Sequence, residues 1–394
     1  MNTIGIIAEF NPFHNGHKYF IEKIREEVGN EPTIISVISS SFVQRGQGAV
    51  LTKWGRANLA LDNGIDLVIE LPFVFACQNA EVFAKGALKT LSLVGIDTLY
   101  FGSEVNNSLR LLDISKKISA NKKIIDAHIK NNLAEGHSFI VSRNLSYLQS
   151  KVLNNEEVKI ISQPNNILGL EYIKAIEYYK ENISVRTIQR TVDHDNNFTK
   201  DNFASASKLR DDYFNKINIE SFIPFRSNEY KFLKTNDEFL LKLLKYLFLI
   251  EDVDISSNIE YENGLENRIK EFLPKVRNFE DLVEKVSNKR ITKARVRRLL
   301  INSLLHLDKQ LIFSALESSN YLRVLGMNEK GMAYLKNLKT PYVQKFKDFE
   351  SFNALTKEIF QIEKNASKLY ALLTSTPYDL DYITSPIIKK SSHK

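Results

Sequence analysis

Residues 3–17 read TIGIIAEFNPFHNGH and decide the fold, because an apolar strand runs directly into a turn that carries two histidines. The apolar run of residues 3–10 has the length of a buried strand. His14 and His17 follow it with Gly16 between them. Apolar residues then recur at helical spacing at Phe20, Ile21, Ile24 and Val28. A strand that passes through such a turn into a helix is typical of the first unit of an open parallel sheet.

The position of this turn predicts a phosphate site. In open α/β sheets, ligands bind at the carboxyl ends of the strands. A helix N-terminus offers unpaired N–H groups and a positive dipole end, which favour phosphate. Gly16 lets the backbone approach a ligand closely, and imidazole donors from His14 and His17 can stabilise charge that grows on a phosphate. Taken alone, the pair also fits a surface pair or a metal site, although no third zinc ligand is adjacent.

The rest of the chain divides by composition. Strands are predicted at residues 33–38, 66–71, 98–101 and 185–190, and helices at 80–94 and 167–179. This alternation predicts an α/β fold with a Rossmann-like, doubly wound parallel sheet. From about residue 236 onward, Leu, Ile, Phe, Lys and Glu dominate and few strand-like alternations remain. We therefore expect two domains, residues 1–220 and a mainly helical domain of residues 221–394.

Composition excludes several classes of protein. The 394 residues carry 54 Lys and Arg against 47 Asp and Glu, a net charge of +7 that suits a nucleic-acid partner without requiring one. No apolar run reaches membrane-spanning length, and the first residues lack the basic region of a signal peptide. The single cysteine, Cys77, excludes an internal disulfide and a Cys-based zinc site. We expect a soluble, cytoplasmic protein; its oligomeric state does not follow from the sequence.

A second motif lies about 190 residues further along, at residues 204–210, ASASKLR. On local residues it reads as an N-capped helix, with Ser207 and Arg210 on one face. Together with FNPFHNGH it resembles the nucleotidylyltransferase superfamily, in which an H-x-G-H turn and a serine-rich helix start bind the triphosphate of a nucleotide. This resemblance implies the nucleotidylyltransferase type of sheet.

Further segments narrow the resemblance to one branch. FVQRG at residues 42–46, KWGRA at 53–57, IELP at 69–72, FGSE at 101–104 and PNNILGLEY at 164–172 are similar to segments of the bacterial tRNA(Met) cytidine acetate ligases. The similarity covers most of residues 1–210 and continues more weakly at 292–298 and 325–331. It implies a ligase that activates acetate with ATP to acetyl-adenylate and pyrophosphate, and then acetylates the N4 amine of the wobble cytidine in elongator tRNA(Met).

The resemblance also implies site residues. His14, His17 and Arg210 would be catalytic, with Ser205, Ser207 and Arg210 holding the β- and γ-phosphates. Lys53 is a weaker candidate for charge neutralisation. Mg²⁺ is expected with the triphosphate, although no protein ligand for it can be named. Neither step needs a covalent protein nucleophile. The implied ATP-binding residues are Ile7, Ala8, Glu9, Phe10, Asn11, Pro12, Phe13, His14, Asn15, Gly16, His17, Lys18, Tyr19, Phe20, Gly102, Asn165, Arg190, Ser205 and Ser207.

One segment departs from the family pattern. Residues 191–195, TVDHD, are shorter than the usual stretch after the arginine that corresponds to Arg190, and they lack glycine. His194 and Asp195 still match its ending. Carboxylates beside an imidazole make it more basic. His194 therefore fits a role in binding or proton transfer, or equally a solvated loop histidine.

A cluster of cations suggests where tRNA would bind. Six cations lie within ten residues, at Lys289, Arg290, Lys293, Arg295, Arg297 and Arg298. A helical wheel places Val296, Leu300, Leu304 and Leu307 on one side, and Arg290, Arg297 and Arg298 largely away from it. We predict that Arg295, Arg297 and Arg298 bind tRNA phosphates; the alternative is a solvated helix face. Arg45 and Arg56 are further candidates for contact with the anticodon loop.

Two other functions stay open at this level. A small-molecule adenylyltransferase that makes a cofactor would explain the first 210 residues but leaves the long C-terminal region without a purpose. A non-catalytic RNA-binding protein would not need the intact His14, Gly16, His17 and Arg210.

Overall fold

A mixed sheet lies at the centre of the molecule. The computed structural model describes residues 3–190, 202–318, 321–345, 348–349 and 352–390. Within these ranges eight strands pair in the order β5-β4-β1-β2-β3-β6-β7, and β8 pairs with β6. The strands are β1 (Thr3–Ala8), β2 (Thr33–Ser39), β3 (Leu67–Leu71), β4 (Thr98–Ser103), β5 (Ser184–Gln189), β6 (Leu322–Asn328), β7 (Tyr342–Val343) and β8 (Ile387–Lys389).

The first five strands form the predicted doubly wound parallel sheet, which is confirmed. Ile4 of β1 lies opposite Ile34 of β2 on one side and opposite Thr98 of β4 on the other. The chain adds β2 and β3 on one side of β1, and then returns to add β4 and β5 on the other. The strand order therefore reverses between β1 and β4, which opens a crevice at their carboxyl ends.

Helices cover both faces of this sheet. They are α1 (Asn15–Val28), α2 (Lys53–Asp62), α3 (Phe73–Ala76), α4 (Ala80–Val94), α5 (Ser108–Ala120), α6 (Lys122–Ala134), α7 (Phe139–Gln149), α8 (Asn155–Ile161), α9 (Pro164–Tyr179), α10 (Ala206–Phe214), α11 (Asp237–Leu249), α12 (Leu265–Phe272), α13 (Phe279–Val286), α14 (Lys293–Leu304), α15 (Lys309–Glu317), α16 (Glu329–Asn337), α17 (Ala354–Thr374) and α18 (Leu380–Ile383). None of those helices is both long and apolar enough to cross a membrane in the part of the chain that the structure describes.

Alternate strand residues build two separate cores, because successive side chains of a strand point to opposite faces. Ile34 and Val68 belong to a core that includes residues of α1 and α2. Ile35 and Leu67, one position away, belong to the other core, which includes residues of α4, α9 and the C-terminal helices. The strands are therefore apolar on both faces, as the sequence of a covered parallel sheet requires.

The C-terminal region is mainly helical, as predicted, but it also returns to the sheet. Strand β6 pairs antiparallel with β3, with Met327 opposite Leu67. The first residues of β6 pair with β7 and its last residues with β8. The sequence did not reveal β6, since a short, continuously buried run such as LRVLGMN lacks the alternation that marks a half-exposed strand. The domain division at residue 220 stays a prediction, and one sheet extends across it.

A buried cluster of charges joins these C-terminal elements to the sheet. The Lys53 ammonium lies 2.5 Å from Glu70, 2.8 Å from Asp381 and 3.3 Å from Glu363. The Arg323 guanidinium lies 3.1 Å from Glu70 and 3.2 Å from Asp381. Burial, reinforced by the Glu70 carboxylate, raises the pKa of Glu363 to about 8. The expectation that Lys53 neutralises phosphate charge is wrong, because the side chain is 3% exposed and its ammonium is held by three carboxyl groups.

Lys53→Met is expected to destabilise the fold strongly. The change leaves three buried acids with Arg323 as their remaining cation, and removing one partner of a buried ion pair costs about 3–5 kcal/mol. Urea unfolding at neutral pH measures the loss. Lys23→Met is the matched control, because Lys23 pairs with Glu26 on the exposed surface of α1 and its removal should leave the unfolding midpoint unchanged. Equal shifts in both variants would contradict the structural role of the cluster.

Candidate active site

The H-x-G-H turn closes on itself before α1 begins. His14 is the N-cap residue of α1, and its Nδ1 accepts a hydrogen bond of 3.0 Å from the Gly16 N–H. The His14 N–H donates in return to Nδ1 of His17 at 3.2 Å. The two rings stack with their centroids 3.7 Å apart. The spacing of the motif is thus the spacing of a capping box, with histidines in both positions.

The hydrogen bonds of this cap determine which nitrogen of each imidazole ring carries the proton. Both Nδ1 atoms accept from backbone N–H groups, so each neutral ring carries its proton on Nε2. Burial, together with the cationic Arg190 and Arg210, lowers the pKa of His14 to about 3. Burial also places the pKa of His17 well below its usual value. At neutral pH the turn therefore presents two uncharged Nε2–H donors.

Two adjacent cavities, which share several lining residues, open at the β1–β4 crevice. The inner cavity, of about 150 Å³, is lined largely by apolar side chains, among them Ile6, Tyr19, Phe20, Phe101, Leu168, Ile188 and Phe203. The outer cavity, of about 380 Å³, is lined by more polar groups, among them Glu9, Asn11, Gln44, Arg45, Ser207 and Arg210. His14, His17, Asn165, Arg190 and Ser205 line both. An elongated ligand with one apolar and one anionic end fits this arrangement.

The N-terminus of α10 borders the outer cavity. Ser205 caps the helix, and its hydroxyl accepts from the Lys208 N–H at 3.2 Å. Arg210 donates to the Ser207 hydroxyl at 3.0 Å and to the Asn11 carbonyl at 2.6 Å. The guanidinium is therefore braced between α10 and the turn after β1. The structure brings both sequence motifs to the same cavity, although they are about 190 residues apart.

Residues from β4, β5 and α9 form the opposite wall. Arg190 donates to the Asn165 side-chain oxygen at 3.0 Å. The Glu104 carboxylate accepts from the Asn165 and Asn166 N–H groups at 3.0 and 2.9 Å, and so holds the N-terminus of α9. A Cβ atom at Gly102 would lie 3.2 Å from the Arg190 side chain, so glycine leaves room for that arginine.

Most of the predicted ATP-binding residues line one of the two cavities, and four line neither among the described residues. Phe13 is fully buried beneath the turn. Asn15 ties the turn to the carbonyls of Asn202 and Ser221. Lys18 is exposed and pairs with Glu22. Pro12, which follows a cis peptide bond, is the fourth. Direct ligand contact by these four residues stays a prediction.

Arg56 does not face tRNA, so the expectation that it touches the anticodon loop is wrong. The side chain is 0% exposed, and its guanidinium donates to three backbone carbonyls. It contacts the Leu51 carbonyl at 3.2 Å, the Glu9 carbonyl at 2.8 Å and the Ser40 carbonyl. Sequence inspection cannot separate such a structural arginine from a surface one, because both occur in charged, helix-forming segments.

Arg298 is also buried, at 9% exposure, so the prediction that it faces outward is wrong. Its guanidinium pairs with Glu260 and donates to the Gln44 carbonyl at 3.4 Å. The helical wheel could not reveal this burial, because the loop of residues 42–48 packs on α14 at Arg297 and Arg298. A Cβ atom at Gly46 would lie 2.7 Å from the Arg298 backbone nitrogen, which shows how closely this loop packs on the helix.

The other predicted tRNA-binding residues are partly exposed and ion-paired. Arg297 pairs with Glu280, and Arg295 lies 2.9 Å from Glu262. Lys289, Arg290 and Lys293 are exposed nearby. Contact of this surface with RNA stays a prediction. Arg45 is exposed and lines the outer cavity.

Several lining residues were missed. Phe101 and Gln189 adjoin the predicted Gly102 and Arg190 at strand ends, which is the signal that could have found them. Phe203 directly precedes the motif at residues 204–210, and Tyr172 ends the family-like segment at residues 164–172, so the same signal applies to them. Phe203 lies edge-on to Tyr19. His194 and Asp195 lie outside the described residues.

This sheet topology and this turn, with two imidazole donors beside a helix N-terminus, define a nucleotidyl transferase fold and site. In agreement, the HIGH Nucleotidyl Transferase family model matches residues 1–382. The tRNA(Met) cytidine acetate ligase of Thermoanaerobacter sp. (strain X514) is 37% identical over 99% of this chain and 100% of its own length. The enzyme of that name from Caldicellulosiruptor bescii is 34% identical over 94% of each. The chain belongs to the HIGH nucleotidyl transferases and, among them, to the tRNA(Met) cytidine acetate ligase family, which confirms the resemblance.

Solved structures agree with this assignment. An apo crystal structure of Thermotoga maritima TmcAL matches 99% of this chain and 100% of its own, with a TM-score of 0.90 and 28% identity. A second form of that protein, bound with alpha-thio ATP, matches the same shares with a TM-score of 0.87 and 29% identity. The similarity includes the C-terminal region, so the whole fold is shared.

His14→Asn is expected to make stability less dependent on pH. The lowered pKa of His14 means that the unfolded chain binds a proton below about pH 6.5 that the folded protein excludes, so stability is lost as the pH falls from there. Asparagine keeps an N-cap acceptor and does not titrate. Urea unfolding at pH 7, 6 and 5 should show a shallower decline for the variant. A decline identical to that of the unsubstituted protein would contradict a buried, neutral imidazole.

Proposed function

We propose that the protein activates acetate with ATP, releasing pyrophosphate, and transfers the acetyl group to the N4 amine of the wobble cytidine of elongator tRNA(Met). One observation carries this proposal: two Nε2–H donors, the N-terminus of α10 and Arg210 surround one cavity at the carboxyl end of β1. The curated relatives named for this activity match the chain over nearly its whole length, which supports the same conclusion.

We place ATP across the two adjacent cavities in one orientation. The base and ribose would occupy the inner cavity, against Phe101, Leu168 and Ile188. The triphosphate would extend into the outer cavity toward Ser205 and Ser207, where the α10 N-terminus favours anions. The alpha-thio ATP in the Thermotoga maritima relative supports nucleotide binding by this fold.

The first chemical step brings two anions together. An acetate oxygen attacks the α-phosphorus, the bond to the bridging oxygen of the β-phosphate breaks, and pyrophosphate leaves with the electron pair. His14 and His17 would donate from Nε2 to phosphate oxygens, and Arg210 would offset the negative charge, so the repulsion and the charge growing in the transition state are both reduced. The step transfers no proton, which suits imidazoles that stay neutral.

Mg²⁺ would arrive bound to the triphosphate. Over the described ranges, no group of three or more His, Cys, Asp or Glu side chains could hold a metal ion. Glu9, the one carboxylate among the described residues that line the outer cavity, is not needed to hold the ion. Such sparse ligation fits an ion that keeps its waters and is held mainly by phosphates, whose charge it neutralises.

The tRNA would approach the outer cavity from the side of residues 42–48. Arg45 is exposed there, and α14, which carries Arg297, packs directly beneath this loop. We assign nucleotide activation chiefly to residues 1–220 and tRNA binding chiefly to residues 221–394. Both steps would take place in the cytoplasm, where tRNA is modified.

His17→Ala is expected to lower acetate activation by at least about 100-fold, because one preorganised donor to the reacting phosphate is lost. Acetate-dependent exchange of labelled pyrophosphate into ATP measures this step without tRNA. His128→Ala is the matched control, since His128 lies on α6 and lines neither cavity, and it should retain full exchange.

Three results would contradict the proposal. Full pyrophosphate exchange in His17→Ala would show that the H-x-G-H turn does not stabilise the reacting phosphate. If pyrophosphate exchange does not depend on acetate, and adenylate is transferred to a nicotinamide nucleotide or a pantetheine phosphate, the protein is a small-molecule adenylyltransferase. RNA binding without any exchange in the unsubstituted protein would indicate a non-catalytic RNA-binding protein.

Arg297→Ala is expected to weaken tRNA binding and to lower its salt dependence by about one phosphate contact, because a cation near the loop is removed. Filter binding over a range of salt concentrations measures both effects. Pyrophosphate exchange should be unchanged. Arg298→Ala should instead impair both activities, since Arg298 supports the loop at Gln44. Unchanged tRNA affinity in Arg297→Ala would exclude this surface as the tRNA contact.

A further inference from the structure

Glu9 lies in the stretch predicted to bind ATP, but no chemical step of acetate activation described above uses its carboxylate. It directly follows β1, and its side chain lines the outer cavity together with His17 and Arg210. Every other ionisable side chain that lines this cavity among the described residues is a cation, an imidazole or a phenol. A lone carboxylate in a cavity built to attract phosphate opposes that purpose, so it needs a separate explanation.

The carboxyl group is held firmly at one oxygen. Its Oε1 accepts a 2.7 Å hydrogen bond from the Gln44 N–H and a longer one, of 3.5 Å, from the Ser39 hydroxyl. The Glu9 carbonyl is held by the Arg56 guanidinium at 2.8 Å. No hydrogen bond to Oε2 occurs among the described residues. One oxygen thus sets the orientation while the other is left for a substrate.

The surroundings make this carboxylate a stronger base than an exposed one. Burial raises the pKa of Glu9, although the Gln44 hydrogen bond and the positive charges of Arg210, Arg56 and Arg45 act in the opposite direction. A base whose pKa lies nearer to the working pH accepts a proton more readily in the transition state.

Acetyl transfer, the second step of the proposed function, requires such a base. The lone pair of the cytosine N4 amine is delocalised into the ring, so the amine attacks effectively only as it loses a proton. A carboxylate is also the side chain that accepts a hydrogen bond from cytosine N4 in nucleic-acid recognition.

We propose, on the basis of the function proposed above, that Glu9 binds the N4 amine of the target cytidine and accepts its proton during acetyl transfer. The N4 lone pair forms a bond to the acetyl carbonyl carbon. The bond between that carbon and the phosphate oxygen breaks, and AMP leaves with the electron pair. The N4 proton passes to Oε2 of Glu9 and then to solvent. Glu9 is thereby a catalytic residue for the second step alone.

Glu9→Gln separates the two steps. The amide oxygen still accepts from the Gln44 N–H, but glutamine cannot take a proton. Because Glu9 also lies in the stretch predicted to bind ATP, we expect acetate-dependent pyrophosphate exchange to lose activity as well, but at least about tenfold less than acetyl transfer does. Single-turnover acetyl transfer to tRNA from preformed acetyl-adenylate should fall at least about 100-fold. Glu22→Gln, on the exposed side of α1, is the matched control and should preserve both steps.

Each other outcome has a distinct meaning. Transfer at the normal rate in Glu9→Gln overturns the proposal. Loss of exchange that added Mg²⁺ restores also overturns it, because Glu9 would then be a metal ligand. Equal loss of both steps with an unchanged urea unfolding midpoint assigns Glu9 to activation and likewise overturns it. If the unsubstituted protein shows no acetate-dependent exchange, the proposed function itself fails, independently of Glu9.

Discussion

The buried guanidinium of Arg56 holds the turn on which the site depends. It donates to the carbonyls of Glu9, Ser40 and Leu51, which belong to three separate segments of the chain. Burial lowers the pKa of Arg56 to about 10, which still leaves a cation at neutral pH. Arginine alone supplies enough donors in one rigid plane to bind several carbonyls at once. Phe10, next to Glu9, takes a left-handed conformation with φ of 49°. The direction of the chain after β1 therefore depends on this contact.

Asn11, in the same turn, makes two further hydrogen bonds that hold the site together. The Asn11 side chain accepts from the Val50 N–H at 2.8 Å, and the Asn11 carbonyl accepts from Arg210. Arg210 in turn contacts Ser207 at the start of α10. The Arg210 guanidinium is thus held by both the Asn11 carbonyl and the Ser207 hydroxyl. Such preorganised donors need little rearrangement when charge develops on a ligand.

The C-terminal region reaches the same turn by a different route. Arg298 on α14 donates to the Gln44 carbonyl, and the Gln44 N–H binds the Glu9 carboxylate. Gly46, at a φ of 75°, allows residues 42–48 to lie against α14. The helical region is therefore in contact, through one loop, with the residue that we propose as the base. In an enzyme that uses both a nucleotide and a tRNA, this contact places the N-terminal sheet region and the C-terminal helical region next to the same reacting atoms.

The sequence by itself determined the parallel sheet, the H-x-G-H turn, the α10 motif and the family, because strand and helix periods and contiguous motifs are local properties. Only the tertiary structure decided that Lys53, Arg56 and Arg298 are buried supports, that β6 joins the sheet, and that Glu9 shares a cavity with Arg210. The sequence shows a lysine or arginine in the same way whether its side chain contacts water, a phosphate or a buried carboxylate. What surrounds it is set by segments far away in sequence, and only their packing brings those segments together.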